Sequence, residues 1–261
     1  MNDKHPMNFA ETVIAAVHTA VASTLTCEAL PVRGALRLLL SDQHTPIRAL
    51  VTCSLHAGQP GIDAGTALDL IHIGLQQLHA RVDATSGASA LLGNAATVLA
   101  GDYLTTGAFR LLVRCADLQV LALVSNAVNR AAELEAGHLS PERDGVDGPA
   151  QWVRTRQRLA GPLGEAAGAT GAALAGYPEP LAVVARRYGE TLVASHVLLQ
   201  EAHAMERGEL RSALGSAARE LCLRALQEAR TLAMATGNGR PLELAELIAA
   251  SIEDAEVEMP S

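Results

Sequence analysis

Four side chains in two distant parts of the chain have the chemistry of metal ligands or acid catalysts. His79 lies close to Asp83, and Glu201 lies close to His203 much later in the chain. Imidazole and carboxylate groups on two facing helices could hold a transition-metal ion. No HxxxH or HxxE pattern pre-organises such ligands, so the sequence does not favour a metal site. Each of the four groups could instead serve as the general acid of a proton-initiated reaction.

The elements that position these groups are predicted to be helices. Hydrophobic residues make up 49% of the 261 residues and aromatic residues only 2%, so Ala, Leu and Val must build the core. Ala and Leu favour helix, and apolar residues recur at three- or four-residue steps. We therefore predict an all-α fold, one large bundle of about nine or ten helices. It is expected to be a single domain over residues 1–261, with a frayed acidic tail over 253–261.

Turn residues and apolar spacing set the expected helix boundaries. The predicted helices span Asn8–Leu25, Pro31–Leu40, Pro46–Ala57, Ala67–Asp83, Leu91–Leu112, Asp117–Gly137, Trp152–Ala175, Pro178–Met205, Leu210–Ala235 and Leu242–Ile252. Gly58–Gly61 is expected to close the Pro46–Ala57 helix. The core faces of the two central helices are predicted to be Leu68, Ile71, Leu75, Leu78 and Val82, and then Leu91, Ala95, Val98, Leu99 and Leu104. The glycines of Trp152–Ala175 are expected to admit a neighbouring backbone.

Charge and composition exclude several classes of partner. A net charge of −8 argues against a nucleic-acid backbone or an anionic membrane as a direct partner. The four cysteines are scattered without a CxxC pair, which is typical of free thiols in a reducing compartment. No signal peptide and no membrane-length apolar run is evident. The sequence therefore predicts a cytoplasmic protein without a membrane span.

Several short segments carry a family resemblance. These are Asp69-Leu-Ile-His72, Gly101-Asp102-Tyr103-Leu104, Glu135-Ala136-Gly137 and Tyr188-Gly189. They resemble segments of the trans-isoprenyl diphosphate synthase (polyprenyl synthetase) family, and the resemblance extends from Pro46 to Met205. It implies the isoprenoid synthase fold. His72 is then expected to be a hydrogen-bonded core histidine, and Asp102 a structural carboxylate.

The resemblance also implies an active site whose motifs this chain does not retain. In the family, two Asp-Asp-x-x-Asp motifs hold Mg²⁺ against the substrate diphosphate, because Mg²⁺ requires hard oxygen ligands. The matched positions of the first motif include His79, Arg81 and Asp83, and those of the second include Gln200, Glu201 and His203. In the segment that grips isopentenyl diphosphate, Arg48 is retained. We therefore expect the magnesium site to be lost and no cofactor to be bound.

Loss of both motifs in a retained fold suggests a non-catalytic subunit. Some family members are heteromers, in which a small subunit without Asp-rich motifs pairs with a catalytic subunit. By resemblance, this chain is expected to be such a subunit, with an exposed apolar face on the helices between Leu91 and Leu134. A homodimer is also compatible with the sequence. The alternatives are an atypical prenyl- or terpene-processing enzyme without the magnesium cluster, and an isoprenoid-binding protein.

Overall fold

The computed structural model describes residues 8–26, 45–82, 90, 93–139 and 148–257 of the chain. Within these ranges there are nine α-helices and no strand, so the all-α prediction is confirmed. The helices are α1 Phe9–Thr24, α2 Ile47–Leu55, α3 Gln59–His72, α4 Asn94–Cys115, α5 Leu118–His138, α6 Pro149–Leu174, α7 Glu179–Ala204, α8 Glu209–Thr236 and α9 Arg240–Val257. The predicted helix Pro31–Leu40 and the candidate ligand Asp83 lie outside the described residues.

Helix α3 begins earlier than the sequence predicted. Gly58–Gly61 was expected to be a closing turn, but α3 starts at Gln59 with Pro60 in its first turn, where the missing N–H of proline costs nothing. The glycines of this helix serve packing. A Cβ on Gly65 would lie 2.6 Å from the Cα of Ala49 in α2. The two helices therefore pack with their backbones almost in contact.

The α-helical geometry of α3 changes just before the residues matched to the first metal motif. A π-helical stretch, Ile73–Leu78, follows α3, and a short 3₁₀ turn, His79–Arg81, follows that stretch. A π-helix widens each turn to an i→i+5 hydrogen bond, so later side chains point in directions that α-helical spacing does not predict. Leu78 is buried as predicted, whereas Leu75 and Val82 are only half-buried. This change of geometry determines which side chains after Ile73 can face the candidate functional site.

The predicted core face of α4 is wrong. Leu104 is buried, but Ala95, Val98 and Leu99 are exposed, and Leu91 is outside the described residues. The buried face instead combines three leucines, Leu104, Leu111 and Leu112, with the small residues Thr97, Ala100, Gly101, Gly107 and Ala108. Small residues let α4 approach the π-helical stretch closely, since a Cβ on Gly101 would lie 3.1 Å from the carbonyl oxygen of Gly74.

The second half of the bundle is packed around α6 and α7. A Cβ on Gly164 would lie 2.9 Å from the carbonyl oxygen of Gly189, and one on Gly168 would overlap the carbonyl oxygen of Ala185. This close backbone approach is the one the sequence predicted. Buried apolar residues of all nine helices form one core cluster. Helix α9 continues to Val257, so the first five residues of the predicted frayed tail are helical.

Candidate functional site

A cavity of about 430 Å³ opens between α2, the end of α3, α5, α6 and α7. Its walls combine charged and polar side chains with a few apolar ones. The charged and polar residues that line it are Arg48, His72, Gln76, Gln77, Arg81, Glu135, Arg156, His196, Gln200 and Glu201, with Thr45 at one edge. This cavity is the candidate site.

Arg48 is the most deeply buried charge of the cavity. It lies in the first turn of α2 and is 1% exposed, because α3 and α6 pack against α2. Asp69 of α3 accepts the backbone N–H of Ala49 at 2.9 Å, and its other oxygen lies 3.5 Å from Nη1 of Arg48. Burial lowers the pKa of the Arg48 guanidinium from its usual value, and the charge of Asp69 opposes that change. One carboxylate thus caps a helix and balances a buried cation.

A network of amide side chains lines the side of the cavity formed by the π-helical stretch. His72 Nδ1 lies 2.6 Å from Oε1 of Gln76, and His72 Nε2 lies 3.2 Å from Nε2 of Gln77. The tautomer with its proton on Nδ1 satisfies both contacts. Gln76 Nε2 also donates to Glu135 Oε1 and to the carbonyl oxygen of Leu159, both at 2.8 Å. His72 is thus hydrogen-bonded as predicted, but at a cavity wall and not in the core.

The opposite wall contains a carboxylate whose two oxygens both accept hydrogen bonds from other side chains. Glu201 of α7 accepts a hydrogen bond from Trp152 Nε1 at 2.8 Å through one oxygen. Its other oxygen accepts from Arg156 Nε at 2.7 Å. Both donors come from the first turns of α6. The Glu201–Arg156 pair is largely shielded from solvent, with 16% and 22% of the two side chains exposed. Both oxygens of Glu201 therefore have partners.

The structure brings together only some of the residues matched to the family motifs. Arg48, Arg81, Gln200 and Glu201 line the cavity. His79 does not, because its ring packs over Gly101 on the far side of the π-helical stretch. There its Nε2 lies 3.1 Å from the carbonyl oxygen of Val98 and 3.3 Å from a carboxylate oxygen of Asp102.

His203 is exposed on α7 and is not among the lining residues either. The His79, Glu201 and His203 side chains therefore do not converge on one point. Asp102, as expected, has a structural contact, the one to His79.

The described donor groups do not fit a magnesium cluster. Among the described residues, no group of three or more His, Cys, Asp or Glu side chains is arranged to hold a metal ion. The two cavity carboxylates, Glu135 and Glu201, accept hydrogen bonds from Gln76 and from Trp152 and Arg156 respectively. Mg²⁺ requires several hard oxygen ligands in octahedral geometry. Arginine side chains in the same cavity offer donors where the metal would need acceptors.

Sequence reasoning missed several lining residues, among them Gln76, Gln77, Glu135 and Arg156. Two adjacent glutamines inside an otherwise apolar helical segment were a usable signal, because polar side chains there imply a polar cavity or a buried network. Glu135 belonged to a segment that resembled the family, but its orientation depends on how α5 packs on α6. Arg156 carried no sequence signal that separated it from the neighbouring arginines of α6.

An exposed apolar stripe runs along α4, remote from the cavity. At 100° per residue, Val98, Leu99, Phe109 and Val113 fall within about 100° of the helix circumference. Leu99 is 62% exposed and Val113 is 73% exposed. Leu118, at the start of α5, is also exposed. The predicted apolar surface between Leu91 and Leu134 is therefore present on α4 and at the start of α5.

Comparisons with known proteins agree with this architecture. No family model matches the chain. Over 114 residues the chain is 32% identical to the octaprenyl diphosphate synthase of Haemophilus influenzae. That match covers 44% of the chain and only 35%, about a third, of the relative's length.

Solved structures match over nearly the whole chain. A polyprenyl synthase from Caulobacter crescentus, solved with calcium and isoprenyl diphosphate, superposes with a TM-score of 0.71 at 19% identity, covering 92% of this chain and 95% of that one. A geranyltranstransferase from Thermotoga maritima superposes with a TM-score of 0.72 at 16% identity, covering 92% and 97%. Identities this low define the fold alone.

The helical bundle has the isoprenoid synthase fold. The sequence similarity to a prenyl diphosphate synthase covers less than half of the chain. No described helix combines the length and the apolar character that crossing a membrane requires.

Proposed function

We propose that the chain is a non-catalytic member of the trans-isoprenyl diphosphate synthase family that acts as the regulatory subunit of a heteromeric prenyl diphosphate synthase. The observation that carries the proposal is the hydrogen bonding of the Glu201 carboxylate. Glu201 is the carboxylate at the second-motif positions, and both its oxygens are bonded to Trp152 and Arg156. A Mg²⁺ ion bound to Glu201 would lie beside the guanidinium of Arg156, and repulsion between the two positive charges disfavours that arrangement. Loss of the magnesium site is part of this proposal.

The first-motif positions support the same proposal. His79 is turned away from the cavity, and Arg81 lines it. A guanidinium near a divalent cation repels it, and this repulsion is largest where water is partly excluded. A chain of this kind contributes to isoprenoid synthesis through a partner that supplies the metal ligands.

The apolar stripe on α4 supports a protein partner, and we assign it to a catalytic prenyl diphosphate synthase chain. Contiguous exposed apolar side chains on one helix face are unfavourable in water and mark association surfaces. Full burial of a Val side chain contributes about 1.5–3 kcal/mol. Because Val113 is 73% exposed, its burial at an interface would contribute about 1–2 kcal/mol.

Affinity purification of the tagged chain from its native source tests the proposal. The expected co-purifying chain carries two intact Asp-Asp-x-x-Asp motifs, and its product length or rate changes when this chain is removed. Val113→Asp should reduce the recovered partner at least about tenfold, because it removes apolar burial and places a charge in the interface. Met234→Asp, a substitution of an 88% exposed residue on α8, is the matched control and should leave recovery unchanged.

Two results would count against the subunit role. One is a chain that purifies only with itself, in which case the stripe on α4 joins two identical copies. The other is a partner whose activity and product length are the same with and without this chain. Equal loss of the partner in both variants would show that binding does not use the α4 stripe.

A further inference from the structure

We infer that the cavity binds a small zwitterion, a molecule of zero net charge that carries an ammonium group, a carboxylate and an apolar body. A free α-amino acid with an apolar side chain belongs to this class. The inference concerns the cavity and not the α4 stripe, so it goes beyond the proposed subunit role and does not rest on it. The charge balance of the cavity and the unused hydrogen-bonding capacity of its walls support it.

The charges around the cavity balance. Two of the three arginines that line it have a carboxylate partner, in the pairs Arg48–Asp69 and Arg156–Glu201. The other two charged residues among the described lining residues have opposite signs, and they are Arg81 and Glu135. A strongly anionic ligand would therefore bring an unbalanced charge into a partly enclosed space, which is costly. A ligand of zero net charge avoids that cost.

The two paired arginines keep donors that no protein group uses. Arg48 is 1% exposed, and its Nε and Nη2 atoms have no hydrogen-bond partner among the described residues. Arg156 is bonded to Glu201 through Nε, and a guanidinium has five donors, so its terminal amino groups are left for another acceptor. A buried donor without an acceptor is costly. The carboxylate of a ligand would supply the missing acceptors, in the geometry that a guanidinium favours.

Glu135 keeps an acceptor in the same way. It is 7% exposed, and its Oε1 accepts from Gln76 Nε2 at 2.8 Å, while no described residue donates to its Oε2. Gln76 Nε2 also donates to the carbonyl oxygen of Leu159, which follows Arg156 by about one turn of α6. Glu135 and Arg156 are therefore close enough for one small molecule to contact both. The ammonium group of a ligand is the matching donor for Glu135.

The cavity also has an apolar part and a suitable size. Its volume of about 430 Å³ lies within the range of small-molecule sites. The apolar side chains that line it are Ile47, Leu159, Ala160, Val197, Ala204 and Met205. These side chains can bury the hydrocarbon part of a ligand whose two charged groups face Glu135 and the arginines. Leucine combines all three features and is the probe we choose.

Calorimetric titration of the purified full-length chain with leucine at neutral pH tests the inference. Two matched probes each lack one charged group: 4-methylpentanoate is leucine without the ammonium group, and 3-methylbutylamine is leucine without the carboxylate. Leucine is expected to bind with a Kd at least about fivefold lower than that of either probe, because each probe loses a charge-assisted hydrogen bond. Inorganic diphosphate, titrated in EDTA, is expected to bind more weakly than leucine.

Glu135→Gln tests the ammonium contact directly. Glutamine keeps an acceptor for Gln76 and removes the negative charge. Leucine should bind at least about fivefold more weakly to this variant, whereas 4-methylpentanoate should bind at least as well as before. Loss of both ligands together is the result of a merely structural role and would contradict the contact. Glu133→Gln is the matched control, because Glu133 is exposed on the same helix and does not line this cavity, and it should change either Kd less than about twofold.

Three other results would overturn the inference. One is a Kd for leucine weaker than about 10 mM. Another is equal binding of leucine and 4-methylpentanoate, which would show that the ammonium group is not recognised. The third is diphosphate that binds in EDTA more tightly than leucine, which would make the cavity an anion site. These titrations use the chain alone, so this inference and the subunit role can fail separately.

Discussion

Replacing Asp69 with asparagine should destabilise the chain far more than the same change at another helix cap. Asp69 is 3% exposed and is the carboxylate that faces the buried Arg48. Removing one partner of a buried ion pair costs about 3–5 kcal/mol, because the other charge remains buried and uncompensated. Asparagine keeps one acceptor for the N–H of Ala49, and the contact to Arg48 is long at 3.5 Å. We therefore expect the free energy of unfolding to fall by about 3 kcal/mol, the lower end of that range.

Urea denaturation at pH 7, followed by circular dichroism, measures this loss as a change in midpoint at constant slope. Asp117→Asn is the matched control. Asp117 caps α5 by accepting the backbone N–H groups of Gln119 and Val120, and asparagine is an equally good cap. Asp117→Asn should therefore change the free energy of unfolding by no more than about 0.5 kcal/mol.

A second substitution separates charge from capping. If the uncompensated cation causes the loss, Arg48→Met combined with Asp69→Asn should recover at least about 1 kcal/mol relative to Asp69→Asn alone. A single-variant loss below about 1 kcal/mol, or a loss equal to that of Asp117→Asn, would refute this reasoning about the buried pair.

Two further predictions concern the core. Gly168→Ala should lower the free energy of unfolding by about 3 kcal/mol, the upper end of the usual range for overpacking, because its Cβ would overlap the carbonyl oxygen of Ala185. Gly215→Ala, on α8, faces open space and should raise that free energy by up to about 1 kcal/mol. Equal effects of the two substitutions in urea denaturation would contradict the packing at Gly168. Burial, with the charge of Asp69 adding to it, raises the pKa of the Cys53 thiol from 9.0 to about 12. At pH 8 its alkylation, followed by peptide mass spectrometry, should therefore be about a thousandfold slower than that of an exposed thiol, and a rate close to the exposed value would contradict its burial.

The sequence predicted elements whose signals are local. Asn8 and Glu11 form a capping box, and α1 starts at Phe9 within a residue of the predicted start. The glycines of α6 predicted close packing because a missing side chain has one direct consequence, the approach of a neighbouring backbone. The core face of α4 was not predictable from large apolar residues. Its buried positions are small residues such as Gly101 and Ala108, whose burial depends on what packs against them.

The candidate site was predictable in part. Arg48, Arg81 and Glu201 followed from family positions, and all three line the cavity. His79 did not reach it, because the π-helical stretch changes the direction of the residues after Ile73, and no sequence rule indicated that stretch. Arg156 could not be recognised either, since its role depends on a contact with Glu201 on another helix.

The central proposal is that this chain lacks the magnesium-dependent chemistry of the trans-isoprenyl diphosphate synthases that it resembles. Its most direct test is a prenyltransferase assay of the purified chain alone, with Mg²⁺, isopentenyl diphosphate and a panel of allylic diphosphates, scored by prenyl products and released diphosphate. We predict no product above that of the heat-denatured chain at any Mg²⁺ concentration. Product that forms with Mg²⁺ and disappears in EDTA would contradict the claim.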